Sequence, residues 1–211
     1  MNKIKTLQLE FLVLFVLLPI SLVLDYPVSL KVTFVGSATV YVLFQLRQLE
    51  AVRFKIKGGN WWLRFFKRLA GLFVLVMLLT TTYVWQVDQD MLFYVPLNSP
   101  KLFVTIALVY TLFSVWPQEV IFRTFFFERY GILFQNKTIM VFVNAVVFSL
   151  AHLFFRNVLV LVLTFVGGLL FGLTYIKYRS TTAVTIEHAL YGNWLFTVGM
   201  GQMLAFPGME N

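Results

Sequence analysis

Cysteine is missing altogether, histidine occurs only twice, and just 12% of the 211 residues are charged. Without cysteine there can be no disulfide, no thiol nucleophile and no thiolate-ligated metal. Soluble domains carry nearer a quarter charged residues. A chain this poor in charge, 60% hydrophobic and with a mean hydropathy of +0.83, reads as an integral membrane protein. Several hydrolase signatures are absent too. There is no His-Glu-x-x-His zinc helix, because His152 is followed by Leu-Phe-Phe and His188 by Ala-Leu-Tyr, and no Gly-x-Ser-x-Gly elbow occurs. Asp88 and Asp90 sit in a loop, which argues against an aspartyl dyad.

Apolar runs, by contrast, are plentiful. A helix needs about 20 apolar residues to cross a bilayer. Runs near 9–24, 30–46, 69–85, 102–130, 138–155, 158–178 and 181–205 fit that length. The expected fold is all-α: a polytopic transmembrane helical bundle of about seven spans, or six to eight if some are half-helices, forming one integral membrane domain over 1–211. Lys3 and Lys5 ahead of the first run resemble a signal peptide. However, no small-x-small cleavage site follows, since the sequence continues Asp25-Tyr26-Pro27, and an uncleaved first span is expected.

The net charge of +8 is unevenly placed. Arg47, Arg53, Lys55, Lys57, Arg64, Lys67 and Arg68 lie in one segment between apolar runs, with Gly58-Gly59-Asn60 as a turn and Trp61-Trp62 as interfacial aromatics. That pattern fits a positive-inside loop facing anionic headgroups, so the partner is the lipid bilayer and not nucleic acid. Alternation of the basic and acidic loops puts the N-terminus inside. Gly168 and Gly172 form a small-xxx-small pair that invites close approach by another helix.

Against this background the stretch from Val115 to Tyr130 stands out, because it puts Glu119 and Arg123 within an apolar run after Pro117. A charge in hydrocarbon costs roughly 2.5–3.5 kcal/mol on insertion scales, so it tends to be paired and functional. Four residues apart, these two share a helix face and can pair. The two histidines also fall in apolar runs. At roughly 1.5 Å per residue, Glu119 lies about 15 Å in from Arg129, His152 about 21 Å in from Thr138 and His188 about 12 Å in from Ser180, a compatible set of depths. Asn144, Phe148 and His152 are spaced to share one face. His188 and Asn193 are roughly 140° apart on a regular helix, and Gly192 between them would allow a distortion that turns both inward. Glu187, about 100° round from His188, is expected to face headgroups or a helix end.

A carboxylate and an imidazole sharing a water can deprotonate it for attack on a carbonyl, and a second imidazole with an amide can hold the oxyanion. That is sufficient for peptide hydrolysis without serine, cysteine or a cofactor. A zinc ion on Glu119, His152 and His188 is the alternative use of the same donors.

The sequences Gln118-Glu119-Val120-Ile121-Phe122-Arg123 and Phe148-Ser149-Leu150-Ala151-His152, followed by His188 with Asn193, resemble the three motifs of the CAAX protease and bacteriocin-processing (Abi) membrane proteins. Those motifs read Glu-Glu-x-x-x-Arg, Phe-x-x-x-His and His-x-x-x-Asn. The resemblance covers about 102–205. It implies an intramembrane endopeptidase in which a glutamate of the first motif and His152 activate water while His188 and Asn193 hold the oxyanion; Glu119 is the carboxylate that this chain offers there, with Gln118, Arg123, Asn144 and Phe148 expected to support the site. It further implies a membrane-associated peptide or protein substrate and, with the loop charges, a bacterial cytoplasmic membrane. Two positions depart from the pattern. Gln118 replaces the first glutamate, and an amide cannot act as a general base; the asparagine falls five residues after the histidine, not four. Either Glu119 takes the base role or the chain is a non-catalytic relative that binds a peptide or lipid-linked partner, as an immunity or scaffold protein would.

Overall fold

The computed structural model describes residues 3–49 and 60–201, and every regular element among them is helical. Seven main helices follow in order: α1 Lys3–Ser21, α2 Val28–Gln48, α3 Trp61–Val87, α4 Pro100–Leu133, α5 Lys137–Leu150, α6 Val158–Tyr178 and α7 Thr181–Val198. Among the described residues six segments are long and apolar enough to cross a membrane: α1 to α4, α6, and α5 together with the turn that carries it to Phe155. The expected polytopic all-α membrane bundle is therefore what this chain forms. The expected seventh span is a helix, α7, but lies outside that set, because Glu187, His188 and Asn193 lower its hydropathy. Arg53, Lys55, Lys57, the glycines of the Gly58-Gly59-Asn60 turn and the Pro207-Gly208 end of the last expected span lie outside the described residues.

Local chemistry sets the helix ends. Asn136 and Asn157 each accept two backbone N–H bonds from the first turns of α5 and α6, satisfying donors that a helix start leaves orphaned. The third helix begins at Trp61, not near Leu69 as the hydropathy suggests. Trp61, Phe65 and Leu69 recur every four residues and are buried, while Arg64 and Lys67 on the other faces are exposed, so an amphipathic turn extends the span. Two prolines sit inside long helices, Pro19 in α1 and Pro117 in α4. Each stands two residues beyond a widened π-helical stretch, Val13–Leu17 and Tyr110–Val115. A proline lacks the N–H and crowds the carbonyl four residues back, and the wider turn accommodates both effects.

The described residues fall into two compact units, each discontinuous in sequence: Met1–Arg53 with Gln118–Thr181, and Phe54–Pro117 with Thr182–Asn211. In the first unit α5 and α6 pack closely. A Cβ on Gly168 would lie 2.8 Å from Ala145 Cα, and one on Gly172 would lie 3.1 Å from Val141 Cγ1. The small-xxx-small pair thus receives α5, as its spacing suggests. The first apolar run belongs to this core. Phe15 of α1 packs edge-on against Phe122, Phe126 and Tyr130. Glu10 accepts from Arg129 at 3.0 and 2.7 Å and from the hydroxyls of Tyr41 and Tyr130 at 2.8 Å each.

The second unit is centred on Val95, Ile106, Tyr110, Val115 and Phe196. Its α3 and α7 are linked by Trp194 Nε1, which donates to Thr80 Oγ1 at 2.9 Å. Gly199 (φ 103°) occupies the left-handed region, where a Cβ would lie 2.3 Å from the Met91 carbonyl oxygen. All four glutamates among the described residues pair with an arginine: Glu10 with Arg129, Glu119 with Arg123, Glu128 with Arg179 and Glu187 with Arg68. Carboxylates inside apolar helices need such a partner. Arginine is suited to supply it, because its planar group is weakly hydrated and stays charged.

Candidate functional site

The motif stretch is a single helical run with one regular turn, Trp116–Glu119, between two π-helical stretches, the second being Val120–Phe125. A π-helical turn leaves a carbonyl poorly matched to the helical ladder. Here a neighbouring helix satisfies one of them: Asn144 Nδ2 donates to the Phe122 carbonyl at 2.7 Å, and both groups are buried. Glu119 and Arg123 are fully buried, with Arg123 Nε 3.3 Å from Glu119 Oε2. The guanidinium lies over Phe148 of α5 at 4.2 Å and faces Phe171 of α6 at 5.2 Å. Two aromatic faces and one carboxylate therefore replace much of the hydration it gives up.

The fifth helix stops at Leu150, two residues before His152. His152 sits in the turn that follows, and Phe148 reaches it in two ways. The phenyl ring meets the imidazole edge-on at 4.9 Å, and the Phe148 carbonyl lies 2.8 Å from Nδ1. A carbonyl can only accept, so Nδ1 carries the proton and Nε2 is the basic nitrogen. Asn144, Phe148 and His152 do share a side, as their spacing suggests, although His152 is held by a helix-end carbonyl and not by the helix itself. One unit thus strings together Glu119, Arg123, Phe148 and His152 by successive contacts, with Asn144 bracing the backbone of the first motif.

The third motif lies on α7, in the other unit, where two consecutive residues of α4 meet it. Tyr110 packs edge-on against the His188 ring at 6.1 Å, and Asn193 Nδ2 donates to Thr111 Oγ1 at 3.1 Å. The distortion expected at Gly192 is absent, since the helix is regular from Thr181 to Val198. The glycine makes room instead: a Cβ there would lie 2.0 Å from the Tyr110 hydroxyl. Tyr110 and Thr111 are the site neighbours that the sequence did not reveal, because neither follows a motif spacing. Glu187 also corrects an expectation. It faces neither headgroups nor a helix end, but is fully buried, paired with Arg68 at 3.5 Å and accepting from the Tyr191 hydroxyl at 3.2 Å.

Of the residues singled out, Gln118, Glu119, Arg123, Asn144, Phe148 and His152 lie in the first unit, and His188 and Asn193 in the second. Within either unit, among the described residues, no three His, Asp or Glu side chains stand close enough together to hold a metal ion.

These features define an integral membrane protein whose chemistry-bearing side chains sit in and beside the apolar helices. Residues 100–195, which carry all three motifs, match the family model described as type II CAAX prenyl endopeptidase Rce1-like. The resemblance drawn from the motifs is therefore met over the stretch that bears them. No curated protein and no solved structure matches the chain.

Proposed function

We propose that the protein is an intramembrane endopeptidase that hydrolyses a peptide bond in a membrane-associated peptide or protein. Glu119 and His152 take the proton from a water as it attacks the carbonyl, and His188 and Asn193 donate to the oxyanion that develops. The attacking oxygen forms its bond to the carbonyl carbon, and collapse of the tetrahedral species expels the amine, which collects the proton held by the base pair. The observation that carries this reading is His152. Its Nδ1 proton is committed to the Phe148 carbonyl, which makes Nε2 the proton acceptor, and the same phenylalanine touches the arginine of the Glu119 pair. The family-model match over residues 100–195 supports the reaction class. Loop charges support an N-terminus on the cytoplasmic side of a bacterial membrane.

A second reading is favoured by Gln118, which stands where the family pattern has its first glutamate. A relative without that carboxylate would bind a peptide or lipid-linked partner without cleaving it.

The test is cleavage of a panel of membrane-anchored peptides, prenylated and unprenylated, by the purified full chain in detergent. Glu119→Gln and His152→Ala are each expected to lower turnover by about 10²–10⁴-fold, the range of general-base contributions. Cleavage that survives both substitutions would reject the site, and cleavage of no peptide would favour the binding reading. No metal enters this scheme, so activity should resist a chelator. Loss on chelation with recovery on adding zinc would instead assign Glu119, His152 and His188 as ligands.

A further inference from the structure

The first unit contains a cavity of about 940 Å³ that the proposed chemistry does not use. This is near the top of the roughly 300–1,000 Å³ range of ligand sites. One wall is α1, through Leu14 and Leu18, continued by Leu22 of the following turn, and the opposite wall is α2, through Val35, Thr39 and Val42. Among the described residues, the charged ones that line it, Asp25, Lys31 and Arg156, gather at one end, where the α1–α2 turn meets the turn after α5. The site is therefore amphipathic along its length, with one polar end and a long apolar barrel.

Its dimensions fit one membrane leaflet. From Leu22 to Leu14 the apolar wall runs about 12 Å, and from Lys31 to Val42 about 16 Å, at roughly 1.5 Å per residue. Half the hydrocarbon thickness of a bilayer is about 15 Å. The polar end lies at the α1–α2 turn, the level at which a span hands over to headgroups. Val32 and Val35 line the cavity yet are 66% and 43% exposed, so it is open sideways to the surrounding membrane.

The charge at the polar end is two cations against one carboxylate, and both cations have capacity left. Lys31 Nζ donates to the Leu22 carbonyl at 2.8 Å, which uses one of its three N–H groups. Arg156 donates to the Val23 carbonyl at 2.9 Å and meets Asp25 at 3.5 Å. That ion pair is largely exposed, with side-chain exposures of 64% and 97%, so it holds Arg156 only weakly.

We infer that this cavity binds an anionic phospholipid of the surrounding bilayer, with one acyl chain between α1 and α2 and the phosphate at Lys31 and Arg156. Such a lipid would complete the packing of the hairpin formed by the first two helices. It would also lie against Ile121 and Ala151, the first next but one to Glu119 and the second adjacent to His152.

Native mass spectrometry of the purified full chain, loaded with phosphatidylglycerol or with phosphatidylcholine of the same acyl chains, tests this without reference to cleavage. One phosphatidylglycerol per chain should be retained, with about ten-fold preference over the zwitterionic lipid, as a charge-assisted phosphate contact implies. Gly36 lines the cavity, and a Cβ there meets nothing within 4 Å. Gly36→Leu should therefore fold normally, as a melting curve would verify, and lose the retained lipid. Lys31→Gln with Arg156→Gln should abolish the preference while leaving chain binding. Equal retention of the two lipids by the unmodified chain, or retention unchanged in Gly36→Leu, would overturn the assignment. Displacement of the phospholipid by a farnesylated peptide would also overturn it, by giving the cavity to a substrate anchor.

Discussion

Replacing Arg123 by methionine keeps much of the side chain's volume but removes the charge that faces Glu119 at 3.3 Å in a fully buried setting. Breaking a buried ion pair from one side costs about 3–5 kcal/mol, because the remaining charge stays desolvated without its partner. The guanidinium also lies over Phe148 at 4.2 Å and faces Phe171 at 5.2 Å, and each such contact is worth about 0.5–2 kcal/mol. The terms overlap, and methionine recovers part of the aromatic contact through its sulfur, so the expected loss is about 4 kcal/mol. Glu119→Leu alone should cost a similar amount for the mirror-image reason. The double variant should return to within about 1–2 kcal/mol of the parent, since a well-packed apolar pair often replaces a buried ionic one at little cost. Reversible unfolding in mixed micelles, followed by tryptophan fluorescence across a denaturing-detergent titration, measures all three. A single-variant loss below about 1 kcal/mol, or strictly additive losses, would show that the pair is not what holds these helices together. None of the three variants should cleave peptide, so stability and activity would separate in the double variant.

Four other outcomes are expected. Asn144→Leu removes the side-chain donor to the buried Phe122 carbonyl and should lower unfolding free energy by about 1–3 kcal/mol, read in the same titration. Gly168→Ala pushes a methyl to 2.8 Å from Ala145 Cα and should cost about 1–3 kcal/mol through forced separation of two helices; Gly36→Ala, with open space at its Cβ, should be neutral or stabilising. Gly192→Ala would place a methyl 2.0 Å from the Tyr110 hydroxyl. It should displace the ring that packs on His188, reducing cleavage of the best peptide by about ten-fold or more through misplacement of that imidazole.

Composition and hydropathy were enough to read a polytopic helical membrane protein, because the demands of a bilayer on backbone hydrogen bonds leave few alternatives. The Gly168–Gly172 spacing was legible as a contact, though not its partner, since spacing on one helix says nothing about which neighbour fills it. The first and second motifs were legible as neighbours to the extent that Glu119 and Arg123 pair and Phe148 stands beside His152. What the sequence could not reveal was the irregular geometry. The π-helical stretches around Trp116–Glu119 and the early end of α5 shift side chains away from ideal 3.6-residue phasing. Glu187 was misread for a related reason. Its partner Arg68 belongs to a segment whose basic composition suggested a loop, yet the end of that segment, from Trp61 to Arg68, forms the first turns of a helix.

The hold on His152 has an evolutionary consequence. Its acceptor is a main-chain oxygen, that of Phe148, and no codon change can delete a peptide carbonyl. Where a carboxylate side chain orients a catalytic imidazole, a single substitution can leave the wrong nitrogen protonated. Here position 148 can drift among residues that keep the end of the helix in place, and the tautomer would survive each exchange.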